Sequence, residues 1–261
     1  MRVLISGASG MVGAKLSEEL KSAGHSVTAL STSKPSSADT VRWDPSRGQV
    51  DASRLEGFDS AVHLAGESIV GSNPVTERWT EPKKAKIMDS RRDGTTLFAN
   101  TLSRLSDKPR VLVSASAVGY YGNRGNELLT EDSEPGDDFL ANVCKVWESS
   151  AGAAKEAGIR VVHPRIGIVL SKAGGALGTT LPVFKLGLGG KVGSGQQYWS
   201  WVTLDDLVGS IRHAIENEAV EGPMNVGAPN PMTNAGFTKV LGEVLGRPTL
   251  LPLPAPAARL M

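Results

Sequence analysis

The sequence predicts an α/β fold built on a doubly wound parallel sheet, and three observations carry that expectation. Short apolar runs with strand character recur at Val3 to Ser6, His25 to Leu30, Thr40 to Trp43, Ser60 to Leu64, Arg110 to Ser114 and Arg160 to Pro164. Long stretches with helical spacing, near 83–106 and 138–157, lie between the later runs. The first run also passes through a glycine-rich turn straight into a helical pattern. Strands joined through helices take right-handed crossovers, so neighbouring strands run parallel and helices cover both faces.

Each element has a local reason. Val12, Leu16 and Leu20 recur every four residues and mark one face of the first helix. Gly24 closes that helix, and the second strand follows at once. After about residue 166 the composition shifts, with Gly174, Gly175, Gly187, Gly189, Gly190, Gly193 and Gly195 crowding a short region. Leu204, Leu207, Val208, Ile211, Ala214 and Ile215 then trace an amphipathic helix. Thr203 is placed as its N-cap, and Asp205 and Asp206 read as first-turn carboxylates that complement the helix dipole. Asn234 reads as the cap of a last helix with Phe237, Val240, Leu241, Val244 and Leu245 on one side. The expected division is a larger α/β domain over 1–165 and a smaller mixed region over 166–261 that interleaves with it.

Composition narrows the functional classes. The 261 residues are 40% hydrophobic and 21% charged, as in an ordinary globular protein. Lys plus Arg number 28 against 27 Asp plus Glu, so nothing electrostatic points to nucleic acid or an anionic membrane. Cys144 is the only cysteine, which excludes an internal disulfide and suits a reducing compartment, cytoplasm or organelle interior. No apolar stretch approaches the roughly 18 residues of a spanning helix, and the N-terminus lacks a signal-peptide layout. His25, His63, His163 and His213 fall in no metal-ligand spacing, so no metal is expected.

The strongest local signal is Gly7-Ala8-Ser9-Gly10-Met11-Val12-Gly13, a G-x-x-G-x-x-G turn between a strand and a helix. In that context the glycines permit a tight turn and close approach of a pyrophosphate, which then faces the free N–H groups of the helix start. This makes the sheet Rossmann-like and places Gly7, Ser9, Gly10, Met11, Val12 and Gly13 at a dinucleotide. An NAD site usually carries Asp or Glu about 20 residues beyond the glycines to bind the ribose diol. Here the stretch is Leu30-Ser31-Thr32-Ser33-Lys34, without a carboxylate. Ser31, Thr32 and Lys34 suit a 2′-phosphate, so the expected cofactor is NADP.

Further motifs follow in order: Trp43-Asp44-Pro45, His63 to Glu67, Arg78-Trp79, Ser90-Arg91 with Gly94-Thr95, Ser114 to Gly122, Lys145 to Glu148 and Pro164 to Gly167. Gly174-Gly175, Gly187 to Gly190, Gly193 to Gly195, Trp201-Val202 before Asp205-Asp206, and Gly246-Arg247-Pro248 complete the series. Together they resemble the extended or atypical short-chain dehydrogenase/reductase superfamily, and within it the NADP-binding epimerase family of bacteria and organelles. The resemblance covers essentially the whole chain. It implies that Leu64, Ala65 and Gly66 pass the cofactor after the fourth strand. It further implies that Lys86, Arg91 and Arg165 lie on the cofactor side, and that the family continues for some tens of residues past the Pro-rich segment at Pro252 to Pro256.

Redox-active members of the superfamily use a Tyr-x-x-x-Lys pair with a nearby Ser. The Lys holds the ribose and lowers the Tyr pKa, and the Tyr exchanges a proton with the substrate. By this resemblance Lys145 and Ser116 match the Lys and the Ser, but the position four before Lys145 is Ala141. Tyr120 and Tyr121, after Ser116, either supply a phenol from another direction or pack beneath their loop. Cys144 reads as a core residue. Two functions follow. One is an NADP-dependent reductase or epimerase acting on a small oxygenated substrate through Ser116, a loop tyrosine and Lys145. The other is an NADP-occupied structural or regulatory subunit without turnover, working with a protein partner.

Overall fold

The computed structural model describes residues 1–34, 37–69 and 79–252. Arg78 of the Arg78-Trp79 motif, and the Pro-rich segment after Pro252, lie outside them. Chain order begins with β1 (Arg2–Ser6), α1 (Met11–Ser22), β2 (Ser26–Ser31), β3 (Thr40–Asp44), β4 (Gln49–Val50) and β5 (Ser60–His63). It continues with α2 (Glu81–Ser103), β6 (Val111–Ser114), β7 (Ser116–Ala117), α3 (Phe139–Ser149), α4 (Gly152–Glu156), β8 (Arg160–Ile166) and β9 (Ile168–Leu170). The last third holds α5 (Gly175–Lys185), β10 (Tyr198–Trp199), β11 (Trp201–Thr203), α6 (Leu204–Glu216), β12 (Gly222–Val226), β13 (Met232–Thr233) and α7 (Asn234–Leu245).

The main sheet runs β4-β3-β2-β1-β5-β6-β8-β12, with β7 beside β8. Every pairing in it is parallel except β3 with β4. The chain works outward from β1 through β2 and β3, then returns to the other side of β1 at β5. Such a reversal opens a crevice at the carboxyl ends of the strands. Register fixes the edge of that crevice. Ser6 pairs with Leu30 and with His63, and His63 pairs with Ser114. Gly7, Leu64 and Ala115 therefore leave the sheet at one level, beside Ser31, the last residue of β2.

Both faces are covered by apolar layers. On one, Val3 and Ile5 meet Leu16 and Leu20 of α1 and Leu207, Val208 and Ile211 of α6. On the other, Leu4, Leu30, Val41, Trp43 and Leu112 meet Phe98 and Leu102 of α2 and Ala154 of α4. Leu4, Leu16, Leu20 and Leu207 are wholly buried, each contributing about 1.5–3 kcal/mol. Residues beyond 166 take part in this framework, because β12 extends the sheet beside β8 and α6 covers its face.

The structure differs from the sequence expectation in local detail. The helix expected over 138–157 breaks into α3 and α4 at a turn over 150–151. The Ser150 hydroxyl donates to the Val146 carbonyl at 2.7 Å and Gly152 follows, so a side chain competes with the helix ladder where propensity is low. The cap of α7 is Thr233, whose Oγ1 accepts from the Gly236 N–H at 3.2 Å. Asn234 instead accepts from the Val192 N–H through Oδ1 at 2.7 Å, tying α7 to the glycine-rich loop. Thr203 does cap α6, accepting from the Asp206 N–H at 3.0 Å, and Asp205 and Asp206 occupy the first turn. No helix of the described residues is long and apolar enough to cross a membrane.

Candidate functional site

The glycine turn is shaped by close backbone contact. Gly7 has φ +74°, a left-handed conformation that disfavours any side chain. A Cβ there would also stand 2.8 Å from the Ala65 nitrogen and the Leu64 carbonyl carbon. At Gly13 a Cβ would lie 2.2 Å from the Gly7 oxygen and 2.8 Å from the Ala8 Cα. The turn is thus pressed between α1 and the segment leaving β5, which brings Leu64 and Ala65 against it. Gly10 is the N-cap of α1, with no side-chain cap and no acidic residue in the first turn. Ser9 and Gly10 are exposed, and Met11 and Val12 half-buried. The result is a helix start with unsatisfied N–H groups and no competing negative charge, suited to an anion.

Arg91, from α2, reaches across Gly66, where a Cβ would sit 3.4 Å from the guanidinium carbon. Its NH1 donates to the Glu67 carbonyl at 3.0 Å and the Ile87 carbonyl at 3.1 Å. The guanidinium lies over the Trp147 ring at 4.6 Å and has no carboxylate ion pair among the described residues. Burial works against its charge, while nearby Cys144 and Glu67 favour it. A largely buried cation beside the crevice, in no direct ion pair among the described residues, is poised for an anionic group. Lys86 stands exposed on α2, one turn before Ser90. Two neighbours went unassigned in the sequence: Lys83, which holds Glu67 Oε1 at 2.7 Å, and Ser90, whose Oγ accepts from the Glu67 N–H at 3.0 Å. Their signal was spacing, since 83, 87, 90 and 91 share a helix face.

The end of β2 is open. Ser31 is half-buried and accepts from the Ser33 N–H at 3.1 Å, while Thr32 and Lys34 are exposed. No carboxylate lies among them.

At the other end of the crevice, Ser116 is buried on β7 and donates through Oγ to Glu148 Oε1 at 2.6 Å. Arg165 makes a forked pair with the same carboxylate, Nε to Oε1 at 2.9 Å and NH2 to Oε2 at 3.0 Å. Its NH1 donates to the Tyr121 hydroxyl at 2.9 Å and the Glu131 carbonyl at 3.0 Å. Arg165 lies within β8, register partner of Ser116 and Asn225, and all its guanidinium nitrogens are engaged within the protein. The Tyr121 hydroxyl in turn donates to Asn225 Oδ1 at 2.6 Å. The Tyr120 ring lies under the Arg165 guanidinium at 3.5 Å, and its hydroxyl has no hydrogen bond among the described residues. Lys145 donates to the Gly136 carbonyl at 3.3 Å, one turn along α3 from Ala141, which is completely buried. Ser116, Tyr120, Tyr121 and Arg165 are therefore brought together, with Glu148 and Asn225 as the members sequence reasoning did not assign.

Burial also shifts two groups packed close to Arg91. Burial pushes the Cys144 thiol up to about 11, as fits a core residue. His63 is wholly buried, with Nδ1 2.6 Å from Ser6 Oγ, and burial, aided by the Arg91 charge, pulls its pKa down to about 3. Among the described residues no group of three His, Cys, Asp or Glu side chains is placed to hold a metal ion.

Residues 3–227 match the profile of the NAD dependent epimerase/dehydratase family. The chain belongs to this family. Epimerase family protein SDR39U1 of Homo sapiens is 39% identical over 256 residues, spanning 98% of this chain and 84% of that protein. Epimerase family protein Mb2239 of Mycobacterium bovis is 38% identical over 257 residues, spanning 98% and 83%. The crystal structure of human SDR39U1 (isoform 2) with NADPH superposes with a TM-score of 0.87 at 38% identity, covering 97% of this chain and 83% of that one. A nucleoside-diphosphate sugar epimerase from Corynebacterium glutamicum gives 0.80 at 37% identity, covering 98% and 53%. The epimerase-family fold thus accounts for the switch-point crevice and the glycine turn described above.

Proposed function

We propose that this chain is an NADP(H)-binding member of the epimerase family that acts as an oxidoreductase or epimerase on a small oxygenated substrate. The observation that carries the reading is the glycine turn, where backbone fills the space of any side chain and the first helix presents an uncapped N-terminus. Gly7, Ser9, Gly10, Met11, Val12 and Gly13 would hold the pyrophosphate. Leu64, Ala65 and Gly66 would pass along the cofactor, and Arg91 would face its phosphates or ribose. Lys145 would hold the nicotinamide ribose. When bound, NADP(H) supplies or accepts hydride. The human relative that carries NADPH supports the choice of cofactor.

Ser31, Thr32 and Lys34, without a carboxylate, favour the 2′-phosphate. Each hydrogen bond to a charged group is worth about 1.5–3 kcal/mol, so NADPH is expected to bind at least about tenfold more tightly than NADH. Calorimetric titration of both cofactors measures this, and equal or tighter NADH binding would reject the preference.

A second reading, an NADP-occupied subunit without turnover, is favoured by the fate of the phenols. Ala141 has no proton to give, and the Tyr121 hydroxyl is committed to Asn225 and Arg165. Tyr120 keeps the free phenol. General acid–base catalysis contributes about 10²–10⁴-fold, so Tyr120→Phe should slow single-turnover NADPH oxidation by a factor in that range if the protein is a reductase. Tyr121→Phe should act mainly on stability. Oxidation of NADPH against a carbonyl panel at an ordinary enzymatic rate, unaffected by Tyr120→Phe, would show that another group moves the proton. No oxidation with any member would favour the subunit.

A further inference from the structure

We propose that Arg42, on the strand beside the expected 2′-phosphate position, is the cation that selects NADP(H) over NAD(H). This rests on the NADP reading above and adds a residue from a different element. Ser31 and Arg42 are register partners in the parallel β2–β3 pair, so their backbones lie about 4.8 Å apart. Side chains of paired residues leave the sheet on the same face. Leu30, Val41 and Trp43 enter the layer covered by α2. Ser31 and Arg42 therefore both point to the opposite face, which α1 covers and from which the glycine turn opens.

The charge accounting at this edge singles out Arg42. Ser31 and Thr32 are neutral, and hydroxyls alone leave a phosphate dianion unneutralised. Arg54 is occupied, donating to the Thr40 carbonyl at 3.2 Å and the Ala38 carbonyl at 2.7 Å. Arg47 faces Asp44 at 3.8 Å. Arg42 is exposed and makes no hydrogen bond or ion pair among the described residues. It borders an open cleft of about 560 Å³ shared with Asp44 and Arg47, so its long side chain has room to swing. A planar guanidinium can give a phosphate two parallel N–H donors, which the point charge of Lys34 cannot. Lys34 shares the edge as a second, exposed cation.

The test is a set of NADPH and NADH titrations, by NADPH fluorescence or calorimetry, of the natural protein, Arg42→Gln, Arg42→Lys and Lys34→Gln. Arg42→Gln should weaken NADPH at least about tenfold and leave NADH within about twofold, as expected for loss of charge-assisted phosphate bonds. Arg42→Lys should recover part of the affinity. Steeper salt dependence of NADPH binding in the natural protein than in Arg42→Gln would support the same assignment. Arg42 is exposed, and unchanged circular dichroism would confirm that the variants fold. If the natural protein prefers NADPH and Arg42→Gln keeps that preference, or Lys34→Gln alone removes it, the assignment is wrong. If the natural protein shows no preference for NADPH, the underlying cofactor reading fails first.

Discussion

Gly13→Val is expected to abolish NADPH binding while leaving the chain folded. A Cβ at Gly13 would lie 2.2 Å from the Gly7 carbonyl oxygen, which is backbone and has no flexible end to swing away. Relief requires α1 to move off β1 or the turn to open, and either motion removes the N–H groups from the pyrophosphate. Loss of two hydrogen bonds to a charged group at about 1.5–3 kcal/mol each predicts at least about a hundredfold weaker binding. Overpacking of this kind typically costs about 1–3 kcal/mol, within the stability of an ordinary domain. Calorimetry on a variant whose circular dichroism matches the natural protein is the measurement. Unchanged affinity in such a variant would remove the glycine turn from the cofactor site.

Arg165→Met is expected to be the most destabilising single change at the other end of the crevice. Arg165 is 3% exposed and Glu148 14%, so losing the guanidinium strands a mostly buried carboxylate. It also removes the donors to the Tyr121 hydroxyl and the Glu131 carbonyl. Breaking a buried pair in this way costs about 3–5 kcal/mol, read as a fall in the urea midpoint. Adding Glu148→Leu should restore much of the loss, because no unpaired charge remains. A double variant as unstable as the sum of the two singles would show that the pair is not coupled. Ser116 loses its acceptor in the double variant, so that protein also shows whether Glu148 sets the orientation of the hydroxyl.

Much of this fold is legible in the amino-acid sequence. Periodicity placed β1, α1, β2, β5, β6 and α6, because each buries apolar residues at the spacing of its own secondary structure. Gly7 and Gly13 were legible because a glycine's freedom is a local property, and the absence of a carboxylate after Leu30 was visible as text. The break between α3 and α4 was less so, since it depends on a hydroxyl choosing the Val146 carbonyl. The cap at Thr233 was displaced by one residue in the sequence reading because Asn234 is equally suited to capping. It was drawn off by the Val192 N–H, 42 positions away.

By itself the sequence determined the α/β sheet, the glycine turn, the carboxylate-free Ser31-Thr32 stretch and the alanine at position 141. These depend on residue identity and short-range spacing. Only the tertiary structure decided which chemistry-bearing groups are spent and which remain available. Arg165 is consumed by Glu148, and Tyr121 by Asn225, which lies 104 positions along the chain. Arg91, Tyr120 and Arg42 are left without a carboxylate or hydroxyl partner of this kind among the described residues. A side chain's availability depends on what reaches it from distant strands, and the register of a parallel sheet is set by packing of its faces rather than by neighbours in sequence.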